Sequence, residues 1–178
     1  MSVGVLAALA GCCANNVCDC QDARADALTL RFRVSENPVA NPGSFAPTDV
    51  DTVYLLRFAL PLPGDSGRIP HDSVRLVRPA AQAANPFIIN NNAPFSPVPG
   101  RKLDRYAYTV FVRLLGSPQD KAGRKSYKLT DITLRGKLDG TGCCTCYRNT
   151  TKTAALNKQR YDLTEKDDRQ PVPLELTQ

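Results

Sequence analysis

The chain has 178 residues, enough to bury one sizeable core and cramped for two. Apolar residues make up 42% and charged residues 22%, which excludes a disordered chain, and the apolar run Val3 to Leu9 is far shorter than the roughly 20 residues that cross a bilayer. The net charge is +6, but the basic residues are scattered from Arg24 to Arg169 without a block, so a solvated basic surface is expected and no nucleic-acid partner.

The first readable feature is Leu9-Ala10-Gly11-Cys12, closing the apolar run just before the composition turns to Asn, Asp and Gln. It resembles the lipobox of bacterial lipoproteins, in which a small residue precedes the cysteine that is acylated and becomes the new N-terminus. The resemblance implies that Cys12 is lipidated. Residues 1–11, which hold no Lys or Arg, then read as a signal-peptide remnant truncated at its start. Residues 12–26 read as a lipid anchor and cysteine-containing tether, and 27–178 as a single domain in the cell envelope, on the periplasmic face or cell surface.

From Ala27 the pattern has period two. Leu28, Leu30, Phe32 and Val34 alternate with Thr29, Arg31 and Arg33, predicting a strand buried on one face. Glu36 to Val50, with Pro38, Pro42, Gly43 and Pro47, is predicted to be a loop. Thr52 to Leu60 follows as a strand, with Tyr54, Leu56, Phe58 and Leu60 expected inward and Arg57 outward. A short strand at Ser73 to Arg78 carries Val74 and Leu76 on one face. Eleven of the 14 prolines lie between Pro38 and Pro99, so this half should hold edge strands and long loops, the longest being Pro79 to Gly100 with Asn90-Asn91-Asn92.

Arg105 to Leu115 is the longest clean alternation, with Tyr106, Tyr108, Val110, Val112 and Leu114 inward, and is expected to be a central strand. In Tyr127 to Leu138 the apolar parity switches between Leu129 and Ile132, which a bulge near Thr130-Asp131 repairs. Thr145 to Leu156, a turn at Asn157-Lys158-Gln159, and Arg160 to Thr164 predict a hairpin, and Pro171 and Pro173 leave the last segment as an edge or tail. No stretch sustains a 3.6-residue period. Roughly seven to nine strands predict an all-β antiparallel sandwich, immunoglobulin-like or transthyretin-like, with a closed barrel as the alternative.

The cysteines fall into two groups, Cys12, Cys13, Cys18 and Cys20 against Cys143, Cys144 and Cys146. With Cys12 lipidated, the other six are disulfide candidates in an exported chain. Bridges within a group would close very small rings, so cross-group bridges are expected. The alternative is a thiol-based metal-binding or redox site using Cys18, Cys20, Cys143, Cys144 and Cys146, because soft thiolates suit zinc or copper(I). The spacings are not the paired C-x2-C of zinc ribbons.

Other candidates are read as structural. His71 beside Asp72 has no serine or cysteine nucleophile placed near it by a motif, and is expected on the surface. Glu165, Asp167 and Asp168 lack calcium-loop spacing and are expected in a solvated turn. Asn149-Thr150-Thr151 fits a glycosylation sequon, with little meaning in a bacterial lipoprotein. Tyr106, Tyr108, Phe111 and Tyr127 are expected in core and cross-strand packing.

The lipobox, the C-A-N-N-V-C-D-C stretch from Cys13 and the G-T-G-C-C-T-C-Y stretch from Gly140 resemble small uncharacterised lipoproteins of Bacteroidota. That resemblance brings no activity with it. One histidine, no tryptophan and no spaced carboxylate pair leave little from which to build an active site, so no catalytic residue and no cofactor are expected. The expectation is a non-enzymatic, membrane-tethered binding or structural module. Its protein or glycan partner would be met by the Glu36 to Val50 and Pro79 to Gly100 loops. A hydrolase built around His71 is the enzymatic alternative.

Overall fold

The computed structural model describes residues 18, 20, 24–63, 70–114, 123–141, 144–165 and 171–178. Among these, the strands are β1 (Leu28–Phe32), β2 (Thr52–Ala59), β3 (His71–Val77), β4 (Phe87–Ile89), β5 (Tyr106–Arg113), β6 (Arg124–Thr141), β7 (Cys144–Leu156), β8 (Gln159–Asp162) and β9 (Leu174–Leu176). They form two sheets, ordered β3-β2-β5-β6-β7-β8 and β4-β1-β9, with three short 3-10 turns and no α-helix among the described residues. One contiguous core joins Leu28, Leu30, Phe32, Leu174 and Leu176 of the smaller sheet to Val53, Leu55, Val110, Val112 and Leu129 of the larger. The chain is therefore an all-β sandwich, and its two open sheets are not a closed barrel. Pairing between the strands is antiparallel except between β1 and β9, and the isolated bridge of Val34 with Phe45 is also parallel. The proline-restricted last segment supplies β9 as an edge strand.

The clean alternation of β5 does what its pattern implies. Tyr106, Tyr108, Val110 and Val112 point into the core, and β5 lies inside the larger sheet between β2 and β6. The parity change in β6 is a bulge between Thr130 and Thr133, with Asp131 in the left-handed region at φ 51°, so Leu129 and Ile132 both reach the core. The β7–β8 turn is tighter than predicted. Asn157 and Lys158 alone turn the chain, at φ 50° and 74° as in a two-residue type I′ turn, and Gln159 already belongs to β8.

The parity of β2 is opposite to expectation. Val53, Leu55, Arg57 and Ala59 are buried, whereas Tyr54, Leu56, Phe58 and Leu60 lie on the outer side, Phe58 at 37% exposure. Hydrophobicity alone favours the wrong face because both faces of this strand are apolar apart from Arg57. That guanidinium is accommodated inside: Nε and Nη2 donate to the two Asp72 carboxylate oxygens at 2.9 and 2.6 Å, and Nη2 also donates to the Ser96 carbonyl at 3.1 Å. It lies 4.7 and 4.5 Å from the ring centroids of Phe95 and Tyr106. A buried charge so paired is tolerated, and a one-residue slip would flip every side chain of the strand.

Neither long loop projects freely. In Glu36 to Val50, Phe45 and Val50 are fully buried, and the Phe45 N–H donates to the Arg33 carbonyl. In Pro79 to Gly100, β4 pairs with β1, and Ala83, Ile89 and Phe95 enter the core. Arg78 ties this loop down, donating from Nη2 to the carbonyls of Gln82 and Asn85 over the Phe87 ring. The Asn run is a turn: Asn90 Oδ1 accepts the Asn92 and Ala93 N–H groups, and Asn91 Oδ1 accepts that of Leu103. Proline removes ladder donors but not hydrophobic side chains, so these segments are irregular and still buried.

The β6–β7 hairpin outruns its neighbours. β5 covers β6 only from Arg124 to Leu129, and β8 covers β7 only from Thr153 to Leu156, so Thr133–Thr141 and Cys144–Thr151 continue as a two-stranded ribbon. Gly136 is required there, since a Cβ would lie 2.5 Å from the Tyr147 ring packed across it.

Phe45→Ala should cost about 3–5 kcal/mol in a urea titration. A loss under about 0.5 kcal/mol, the size of an ordinary surface change, would place the Glu36 to Val50 loop outside the core.

Candidate functional site

Within the stretch expected to form a tether, Cys18, Cys20, Arg24 and Asp26 are each held to β7. Cys18 is bridged to Cys144 and Cys20 to Cys146, each pair with a Cα separation of 5.4 Å and a sequence separation of 126. The expected cross-group pairing is present. Cys12, Cys13 and Cys143 lie outside the described residues.

Beyond the bridges the contacts are buried and polar. The Asp26 N–H donates to Asn149 Oδ1 at 3.0 Å, and Asn149 Nδ2 donates back to Asp26 Oδ1 at 2.8 Å. Asn149, the sequon residue, is thus a buried structural amide. Lys152 is 2% exposed, and its ammonium donates to the Arg24 carbonyl at 3.2 Å and to Glu165 Oε1 at 2.9 Å. Glu165 is therefore not in a solvated turn: it neutralises a buried lysine. Asp167 and Asp168 lie outside the described residues. Burial first, then the Asp26 charge, raises the Tyr147 hydroxyl above the usual tyrosine range.

His71 opens β3, exposed and stacked on Phe58 at 6.1 Å between ring centroids. It borders a cleft of about 140 Å³ together with Arg57, Asp72, Arg101 and the buried Tyr106, whose hydroxyl has no hydrogen-bond partner. Among the described residues the lining includes no serine or cysteine. Asp72 and burial act oppositely on Arg57: burial disfavours its charge, and the Asp72 hydrogen bonds and charge outweigh this, raising its pKa. A larger, open cleft of about 510 Å³ lies between β8 and β9, where the Tyr127 hydroxyl donates to the Thr177 carbonyl.

The reversed parity of β2 creates a surface that sequence reading missed. On the outer side of the larger sheet, side chains form rows across the strands: Arg75, Tyr54, Phe111 and Ser126, then Ser73, Leu56, Thr109 and Lys128, then His71, Phe58 and Ala107. Tyr54 and Phe111 stack at 4.8 Å, 5° from parallel, and the Arg124 guanidinium lies 5.3 Å from the Phe111 centroid. Phe111 is thus cross-strand packing, as expected, whereas Tyr106, Tyr108 and Tyr127 belong to the core. Arg113 and Arg124 face each other directly across β5 and β6. Arg75, Arg113, Arg124 and Lys128 are exposed, and no carboxylate pairs with any of them among the described residues. Four of the cations scattered in the sequence meet on this face. A signal existed in the lone arginine of β2, whose two faces compete for the core.

A scan against protein-family models, a search of curated proteins and a search of solved structures each found no match.

Two outcomes test the docked segment. With Cys20–Cys146 intact, losing Cys18–Cys144 should cost only about 2 kcal/mol, because the surviving bridge still closes the long loop; losing both should cost about 7 kcal/mol in the chain-entropy model. Equal losses for the single and double Cys→Ser variants in urea titrations would refute shared closure. Glu165→Gln should cost about 3–5 kcal/mol by leaving the Lys152 ammonium uncompensated, and Lys152→Met with Glu165→Leu should recover most of it. A double variant no more stable than Glu165→Gln would show that the pair is not what the site depends on.

Proposed function

We propose that this chain is a non-enzymatic lipoprotein of the cell envelope, a rigid β-sandwich binding or structural module held to a membrane through lipid on Cys12. The observation that carries the reading is the double bridge from Cys18 and Cys20 to β7. Disulfides persist in oxidising compartments outside the cytosol, which agrees with export. Cys12 lies six residues before Cys18, so the chain between them spans at most about 21 Å, and the bridged ribbon stands close to the bilayer. Tension on a lipid at Cys12 passes through covalent bonds into β7 and from there into the larger sheet.

The non-enzymatic part of the proposal rests on His71. Its ring stacks on Phe58, and the neighbouring cleft has Arg57 and Asp72 already committed to each other. No cofactor is invoked. A thiol-based metal site would require Cys18, Cys20, Cys144 and Cys146 as thiolates, whereas their sulfurs are bonded pairwise.

Metabolic labelling with a palmitate analogue in a bacterial host should mark the wild type and not Cys12→Ala, with the variant released from the membrane fraction. Equal labelling of both removes the anchor. Non-reducing peptide mapping should recover the Cys18–Cys144 and Cys20–Cys146 peptides; free thiols there, with stoichiometric zinc released by a chelator, would replace the proposal with the metal reading.

A further inference from the structure

We infer that the outer face of the larger sheet is a groove for a linear acidic polysaccharide. This deepens the binding-module reading and is independent of the anchor. The Tyr54–Phe111 row and the Phe58–His71 row are four residues apart along β2, about 13 Å at the rise of a strand. The row between these aromatic ones carries the smaller side chains of Ser73, Leu56 and Thr109, and it ends on Lys128 at β6. From β3 to β6 it crosses three strand intervals, about 14 Å. The shape is a trough across the strands, fitted to an extended chain.

The chemistry of the walls selects the occupant. The rings stack on each other within each row, so their edges meet the apolar faces of sugar rings, while the Ser73 and Thr109 hydroxyls can exchange hydrogen bonds with sugar hydroxyls. The charge is of one sign: the outward side chains of β3, β2, β5 and the Arg124–Lys128 part of β6 include four cations and no carboxylate. Arg113 and Arg124 are directly opposed one row beyond the Tyr54–Phe111 ridge, where Arg124 reaches the Phe111 ring. They repel each other, and like charges in that position are unfavourable until something negative, reaching over the ridge from the trough, lies between them. Carboxylates repeated along a polymer meet this need, since guanidinium groups bind them in a paired, planar geometry. The bridged cysteines agree with the proposed export, and so with a glycan rather than a nucleic acid as the occupant. A ridged trough also suits a chain better than a flat lipid surface.

The full chain, purified in detergent, would be tested by biolayer interferometry against immobilised polygalacturonate, its methyl-esterified form, dextran, an oligo(dT) strand and anionic phosphatidylglycerol vesicles. Polygalacturonate should bind best, weaken as salt is raised, and lose most of its affinity on esterification. Tyr54→Ala and Phe111→Ala should each weaken binding about fivefold to tenfold, and Arg113→Ser with Arg124→Ser at least about tenfold. Arg31→Ser, on the other sheet, should bind like wild type. Thermal melts and near-ultraviolet circular dichroism check that each variant is folded. The inference is overturned by retention of no probe, equal binding of esterified polymer or dextran, tighter binding of oligo(dT) or of vesicles, or folded outer-face variants that bind like wild type. A failure here leaves palmitate labelling untouched, and a failure of labelling leaves the groove standing.

Discussion

The Arg57 guanidinium, 5% exposed and held by both oxygens of Asp72, is the constraint on which the larger sheet depends. Its strand could in principle bury either face. With Arg57 inside, Val53, Leu55 and Ala59 fill the core against Val112, Val110 and Tyr106, their register partners on β5. The bulkier Tyr54, Leu56 and Phe58 are then turned outward. Arg57 is buried while the Asp72 side chain is 47% exposed, and desolvation of the guanidinium offsets the attraction, so the pair contributes little net stability compared with a well-packed apolar replacement. Here its consequence is specificity: the slipped register would strand Asp72 and empty the pocket between Phe95 and Tyr106. One charge pair thus decides which face of the sheet meets solvent.

A second constraint acts at the other side of the same sheet. A two-stranded ribbon is at best marginal in water, and β6–β7 extends well past its neighbours. Cys18, Cys20, Arg24 and Asp26 supply attachments that a third strand would otherwise provide. Two covalent bridges, a reciprocal pair of hydrogen bonds between Asp26 and Asn149, and the Lys152 ammonium bound by the Arg24 carbonyl and Glu165 succeed one another along β7. The ribbon, the N-terminal segment and the residue leading out of β8 are therefore one mechanical unit. In the proposed anchoring, that unit carries load from the membrane to the sheet, and the outer face of β2 and β5 stands on the part of the sheet beyond it.

Sequence alone determined the strand class, the central place of β5, the bulge near Asp131 and the cross-group cysteine pairing. Each of these follows from a local pattern or a covalent limit: period two, a parity break, the smallest ring a disulfide closes. Tertiary structure decided the rest. Whether Arg57 lies in or out turns on Asp72, fifteen residues away, and on Phe95, which belongs to a segment that reads as a surface loop. Phe45 and Phe95 are buried because their proline-rich segments are laid over the core, and proline content reports lost ladder bonds rather than exposure. Glu165 is a counter-ion only because folding brings it to Lys152. The basic face follows the same rule: Arg75, Arg113, Arg124 and Lys128 are scattered along the chain, and strand pairing alone, which depends on contacts distant in sequence, sets them side by side.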